Sequence, residues 1–222
     1  MMMNIFSIFD PSSITPFISS NWLSMFIIFL LYPYQFWFLP SRMINLWFLS
    51  LNYLFKEFKI LINYSFSNLI ILLSLFLMIF FNNFLGLFPY IFTASSHMMF
   101  CLSLALPMWI SMLLINLYKF FNDLMSHMTP QGTPIILMPF MVIIETISLI
   151  IRPITLSIRL TANMIAGHLL LTLLGSSGPS MNYLFIPFLI FSQLLLLILE
   201  ISVAMIQAYV FSILLTLYSS EI

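Results

Sequence analysis

The chain has 222 residues, 63% hydrophobic and only 5% charged, with six basic and six acidic side chains and a mean hydropathy of +1.15. A soluble domain carries about 25% charged residues; this chain has too few polar groups to cover itself in water and reads as an integral membrane protein. Zero net charge without a basic stripe excludes a nucleic-acid partner, and a lone cysteine, Cys101, excludes an internal disulfide or thiolate metal cluster.

The opening MMMNIFSIFD has neither a basic n-region nor an Arg- and Ser-rich transit pattern, so no targeting peptide is expected. Phe, Leu, Ile, Met and Asn are abundant while Ala, Gly and Arg are scarce. That is the footprint of AT-rich coding DNA, as in an organellar genome.

Residues 14–32 form the first apolar run and are predicted to span, although Pro16, Ser19, Ser20 and Asn21 make the run marginal. Residues 34–64 mix Arg42, Lys56, Glu57 and Lys59 with Trp37, Trp47, Tyr53 and Phe58. Basic and aromatic residues together suit the headgroup layer, which predicts an interfacial amphipathic segment. Residues 67–88 and 97–118 are two further spans, the second carrying Pro107. Two crossings put Arg42, Lys56 and Lys59 on the side of Lys119, with Asp10 and segment 89–96 opposite. The positive-inside rule assigns the basic side to the compartment of synthesis. His97 and His127 fall near span ends, and Pro130-Gln131-Gly132-Thr133-Pro134 is a turn signal.

Beyond it the pattern changes. Residues 135–174 and 181–218 are long apolar runs separated by Gly175-Ser176-Ser177-Gly178-Pro179. A helix of 38 residues is about 57 Å long, against roughly 30 Å of hydrocarbon. The expected fold is thus all-α: an N-terminal span, an interfacial helix, two spans, then two long, strongly tilted helices forming a hairpin within a single membrane domain. Cutting the runs at Pro139, Pro153 and Pro187 into shorter upright spans is the alternative.

The polar residues of the C-terminal half fall inside these two runs: Glu145, Arg152, Arg159, Asn163, His168, Gln193, Glu200 and Gln207. Arg159 stands in SIRLTANMIAGHLL without another charge nearby. A guanidinium keeps its proton at any accessible pH, and its cost in hydrocarbon ranges from about 3 to above 10 kcal/mol. Such a group points to function, most simply ion movement. At about 100° per residue, Glu145, Arg152 and Arg159 share one helix face. Asn163 lies nearly above Arg159, and His168 is about half a turn round from it. Arg159 should therefore look toward a partner surface and His168 toward an internal polar cavity. Glu200 and Gln207 share a face of the last helix. Ala162 with Ala166, and Ala204 with Ala208, are small pairs that permit close helix approach. Bland readings stand beside these: Arg159 paired with Glu145 or Glu200, Arg152 snorkelling to a headgroup or neutralised by Glu145, His168 as a packing histidine.

Three histidines at different ends or depths make paired haem ligation a poor fit, and no cofactor or metal is expected. No nucleophile–base pair or nucleotide-binding glycine loop appears, so the chain is not expected to be an enzyme by itself.

Ser157-Ile158-Arg159-Leu160-Thr161-Ala162-Asn163-Met164-Ile165-Ala166-Gly167-His168 resembles the signature of subunit a of F-type ATP synthases. The turn signal at 130–134, Ile144-Glu145-Thr146-Ile147-Ser148 and Asn82-Asn83-Phe84-Leu85-Gly86-Leu87-Phe88-Pro89 resemble its animal mitochondrial form. The resemblance covers the whole chain and is strongest over 127–175. It implies a multi-pass stator subunit of the mitochondrial inner membrane, beside a rotating ring of proteolipid subunits that each carry a membrane carboxylate. Peripheral-stalk and other small membrane subunits are further implied partners. Arg159 matches the family's essential arginine, Asn163 the polar residue one turn later, and Glu200 with Gln207 the last-helix polar pair. In bacterial members the residue types matching His168 and Glu200 are exchanged, so these two should be adjacent across the hairpin. The implied function is proton translocation through two offset half-channels, with His168, Glu200, Asn163 and Gln207 on one side, Glu145 as relay on the other, and Arg159 between. A stand-alone secondary transporter or ion channel, or a structural subunit of a respiratory complex, are the rival readings.

Overall fold

The computed structural model describes residues 5–12, 19–62, 66–119, 121–129 and 134–221. Seven α-helices are described: α1 (Ile27–Leu31), α2 (Arg42–Leu61), α3 (Phe66–Gly86), α4 (Met98–Lys119), α5 (Phe121–Met128), α6 (Met138–Ser177) and α7 (Ile186–Glu221). Short 3-10 turns cover Ile5–Phe9, Ser20–Phe26 and Ala94–Ser96, among others, and no strand occurs among the described residues. Four of these helical stretches are long and apolar enough to cross a membrane: Asn68–Gly86, Met98–Lys119, Met138–Ser180 and Tyr183–Ser219.

The first predicted span looks different. Its described part is a 3-10 turn, Ser20–Phe26, continued by α1 to Leu31. That makes about 21 Å of helix, short of the roughly 30 Å a crossing needs; residues 14–18 lie outside the described residues. The polar Ser19–Asn21 group explains the tighter start, since such side chains compete with helical backbone bonding. The predicted turn at 130–134 is described only at Pro134.

The segment expected at the interface folds into α2. The Ser41 hydroxyl caps it, accepting from the Ile44 amide at 3.4 Å, and Lys59 in the last turn complements the helix dipole. Phe58 and Ile62 are fully buried, whereas Met43, Leu46 and Ile60 face outward. The inner side of α2 rests on α3 and α7: Trp47 packs at 5.4 Å on Phe81, and the Tyr209 hydroxyl donates to Glu57 Oε2 at 3.2 Å. The Glu57 carboxylate also lies one turn from Tyr53 and pushes the Tyr53 hydroxyl pKa up.

Helices α6 and α7 run unbroken for 40 and 36 residues, α6 passing through Pro153. The prolines therefore do not divide them: Pro139 and Pro187 occupy first turns, where a missing N–H is harmless. Serine and threonine hydroxyls along both helices bond to carbonyls of the preceding turn, as Ser157 to Ile154 (2.8 Å) and Thr216 to Ile213 (2.7 Å). Those hydroxyls need no water in an apolar medium. The two helices form an antiparallel pair. Arg152 lies 4.8 Å over the Tyr218 ring, Gly167 meets Glu200, and Gly175 faces Gln193.

On one side of this hairpin, α3 packs along α7 and α4 along α6. Leu69, Leu72 and Ile79 of α3 join Ala208, Phe211 and Leu215 of α7 in one core, with Phe100, Cys101 and Ala105 of α4 against Leu156 and Leu160. Ala204 and Ala208 are 1% and 0% exposed, so their small side chains serve packing within the chain. Cys101 is buried, its thiol donating to the Ser95 carbonyl at 3.3 Å.

Candidate functional site

The polar residues of the hairpin fall into two neighbouring clefts. One is lined by Asn163, Met164, Gly167 and His168 of α6, Glu200 and Val203 of α7, and Leu87 just beyond α3, and leaves a cavity of about 10 Å³, on the order of one water molecule. Glu200 is 6% exposed. Neither of its carboxylate oxygens, nor His168 Nε2, reaches solvent or a protein partner. Leaving such groups unpaired in a low-dielectric interior costs several kcal/mol each (about 1–3 for neutral groups, more for charged ones). These unpartnered atoms line the same cleft.

Gly167 makes this geometry possible. A Cβ at that position would stand 2.7 Å from Glu200 Oε1 and 3.0 Å from its Cδ. The carboxylate thus lies across the bare backbone of α6 beside His168.

The other cleft is lined by Leu156, Arg159, Leu160, Gln207, Val210 and Phe211. Gln207 therefore sits with Arg159, one heptad along α7 from Glu200, and not in the His168 cleft. The reason is that seven residues advance about 10 Å along the helix. Asn163 stands one turn beyond Arg159 and lines the His168 cleft, its 40° offset turning it toward the hairpin seam. Arg159 is exposed, and among the described residues it makes no ion pair or hydrogen bond; the pairing with Glu145 or Glu200 does not occur. Around it Thr155, Ile158, Ala162, Ala166 and Leu170 form an outward stripe on α6. The small alanines flank the guanidinium on the open face.

Glu145 stands 14 positions before Arg159 on α6, half-buried, about 21 Å away along the axis. It belongs to neither cleft. His168 lies about 13 Å from Arg159 in the opposite direction. Along one helix the order is thus carboxylate, cation, imidazole.

Several neighbours were not singled out by sequence reasoning. Gly167 could have been: an isolated glycine inside an apolar helix usually marks close approach. Asn83 is fully buried, with both amide atoms lacking a partner, and lies one turn below Leu87. An asparagine in a span is itself a signal. His97, read as interfacial, packs against Trp22 (5.3 Å) and Phe92 (5.2 Å).

The same residues carry a family likeness. The family model described as ATP synthase A chain matches residues 17–220. The chain is 57% identical to ATP synthase subunit a of Drosophila melanogaster and 57% identical to that of Locusta migratoria, in both cases over 100% of each chain. The Aedes aegypti subunit is 52% identical over the same full coverage. An all-helical chain with four apolar helices of membrane-spanning length, matched end to end in this way, belongs to the ATP synthase subunit a family.

Proposed function

We propose that this chain is the proton-translocating stator subunit of the ATP synthase membrane sector, a multi-pass protein of the mitochondrial inner membrane set beside a rotating ring of proteolipid subunits. The hairpin lies strongly oblique, since α6 at 40 residues is about 60 Å long in roughly 30 Å of hydrocarbon. The stripe carrying Arg159, Ala162 and Ala166 faces the ring. Peripheral-stalk and other small membrane subunits hold the opposite side. The chain itself breaks no bond and holds no cofactor.

Protons from the intermembrane space reach His168 and Glu200. Imidazole exchanges protons near neutrality, with an unperturbed pKa of about 6.5. From this cleft, past Asn163, they neutralise a ring carboxylate, which then turns into lipid at low desolvation cost. After nearly a full turn the carboxylate meets the second half-channel, open to the matrix, where Glu145 is the relay. Arg159 stands between. Its fixed charge favours the ionised ring carboxylate and repels a proton moving straight across. Gln207, in the Arg159 cleft, is placed to hydrogen-bond the carboxylate as it passes. Each proton falling through 100 mV releases about 2.3 kcal/mol, so several are needed per ATP.

The observation that carries this reading is the set of unpartnered Glu200 and His168 atoms converging on a cleft, one cleft away from an arginine that makes no ion pair among the described residues. Replacing Arg159 by Ala in the complete complex, reconstituted in liposomes, should abolish both ATP-driven proton pumping and proton-driven ATP synthesis. Normal coupled synthesis in that variant would overturn the scheme.

A further inference from the structure

Within the proton pathway just described, the imidazole of His168 must keep one orientation, yet among the described residues no hydrogen bond fixes it. A functional histidine is ordinarily oriented by a partner on its second nitrogen. Here the ring has an aromatic neighbour instead. The N-terminal turn Ile5–Phe9 packs on α6, and the Phe9 ring lies 6.4 Å from the His168 ring at an interplanar angle of 77°. That is an edge-to-face contact, the arrangement aromatic pairs prefer.

The turn has an inside and an outside. Phe9 is half-buried, whereas Phe6 is 68% exposed and Asp10 fully outward. Its shape is closed locally: the Asp10 amide donates to the Ser7 carbonyl at 3.3 Å, and Asp10 Oδ1 accepts from the Ser12 amide at 3.0 Å. That bond holds the Asp10 carboxyl below its ordinary pKa. Among the described residues, the other ionisable group lining the cleft of His168 is Glu200, from α7. The next described stretch is tied to the same end of the bundle, with the Ser24 hydroxyl donating to the Phe92 carbonyl at 3.1 Å and Trp22 packed 5.5 Å from Phe92.

We propose that the N-terminal turn covers the side of His168 beside the His168–Glu200 cleft, and that Phe9 is a positioning residue that sets the His168 imidazole and shields it from bulk solvent. The inference rests on the proton pathway proposed above, but its test separates the two.

The test uses the assembled complex carrying Phe9→Ala, Phe9→Tyr or Phe9→Leu. Hydrogen exchange at the imidazole C2 of His168, followed by mass spectrometry, reports shielding. Proton-driven ATP synthesis reports positioning, and the yield of intact complex reports assembly. In Phe9→Ala, exchange at His168 should rise several-fold while exchange at His97 stays unchanged, and synthesis should fall. Phe9→Tyr should restore both, and Phe9→Leu, with bulk but no ring, should restore the shielding alone. Unchanged exchange in Phe9→Ala overturns the inference and leaves the pathway standing. Faster exchange with normal synthesis overturns the positioning role. The pathway itself fails separately, if His168→Ala synthesises ATP at the normal rate. Should Phe9→Ala fail to assemble, the Phe9→Leu and Phe9→Tyr pair decides: equal synthesis in the two overturns the role of the ring.

Discussion

Replacing Gly167 by Ala tests whether the position of the Glu200 carboxylate matters for transport. The added methyl would stand 2.7 Å from Glu200 Oε1, and ordinary contact begins near 3.4 Å, so the carboxylate must retreat by about 0.7 Å. It can do so, because it is the free end of a flexible side chain; a rotamer distortion of this size costs about 0.5–1.5 kcal/mol. Exchanging glycine for alanine inside a helix returns about 1 kcal/mol. The two nearly cancel, and the complex should assemble with unchanged stability. Its chemistry should not survive as well, since a misplacement of about 1 Å can cost on the order of 100-fold in a proton-transfer site. ATP-driven proton pumping by the reconstituted Gly167→Ala complex should therefore fall by about tenfold to a hundredfold. Gly175→Ala is the control: its Cβ would meet only Gln193 Nε2, at 3.8 Å, and pumping should be normal. Pumping by Gly167→Ala at the wild-type rate would refute the claim that Glu200 works from its place over the bare α6 backbone.

Other substitutions probe the neighbouring contacts. Exchanging His168 and Glu200 should retain more proton-driven synthesis than the double alanine, because both positions line one cleft; equal loss in the two would show that they do not act as a pair. Ala208→Leu, at a position 0% exposed against α3, should destabilise the subunit by about 1–3 kcal/mol through overpacking, visible as a lower dissociation temperature of the complex. Tyr209→Phe removes the bond to Glu57, but at an exposed site it should cost no more than about 0.5–1 kcal/mol and leave pumping intact.

The long C-terminal helices were legible because apolar length is a direct signal. The runs at 135–174 and 181–218 appear as Met138–Ser177 and Ile186–Glu221. Their ends moved by a few residues, since Gly175 continues α6 and the chain turns at Gly178. The adjacency of His168 and Glu200 was also readable, but only through the family resemblance; helical spacing alone placed His168 away from Arg159 without naming its partner. The partition of polar residues between clefts was not readable. Whether Gln207 joins His168 or Arg159 depends on the register of α7 against α6, and no periodicity within one helix fixes that. Helix α5 was not legible although Phe121, Leu124, Met125 and Met128 fall on one helical face; Lys119 just before it and Asp123 within it break up the apolar signal. The Phe9 contact joins residues 159 positions apart, and nothing local announces such a pairing.

The alanines at 204 and 208 bring the α7 backbone close to its neighbours in the α3–α7 core. Closely packed interiors have low compressibility and transmit strain. A sideways load on the outer face of the hairpin is then passed to α3 and to α2 behind it, with little recoil. In the rotary complex proposed above, the hairpin is then a stiff anvil, and elastic twist is stored elsewhere in the assembly.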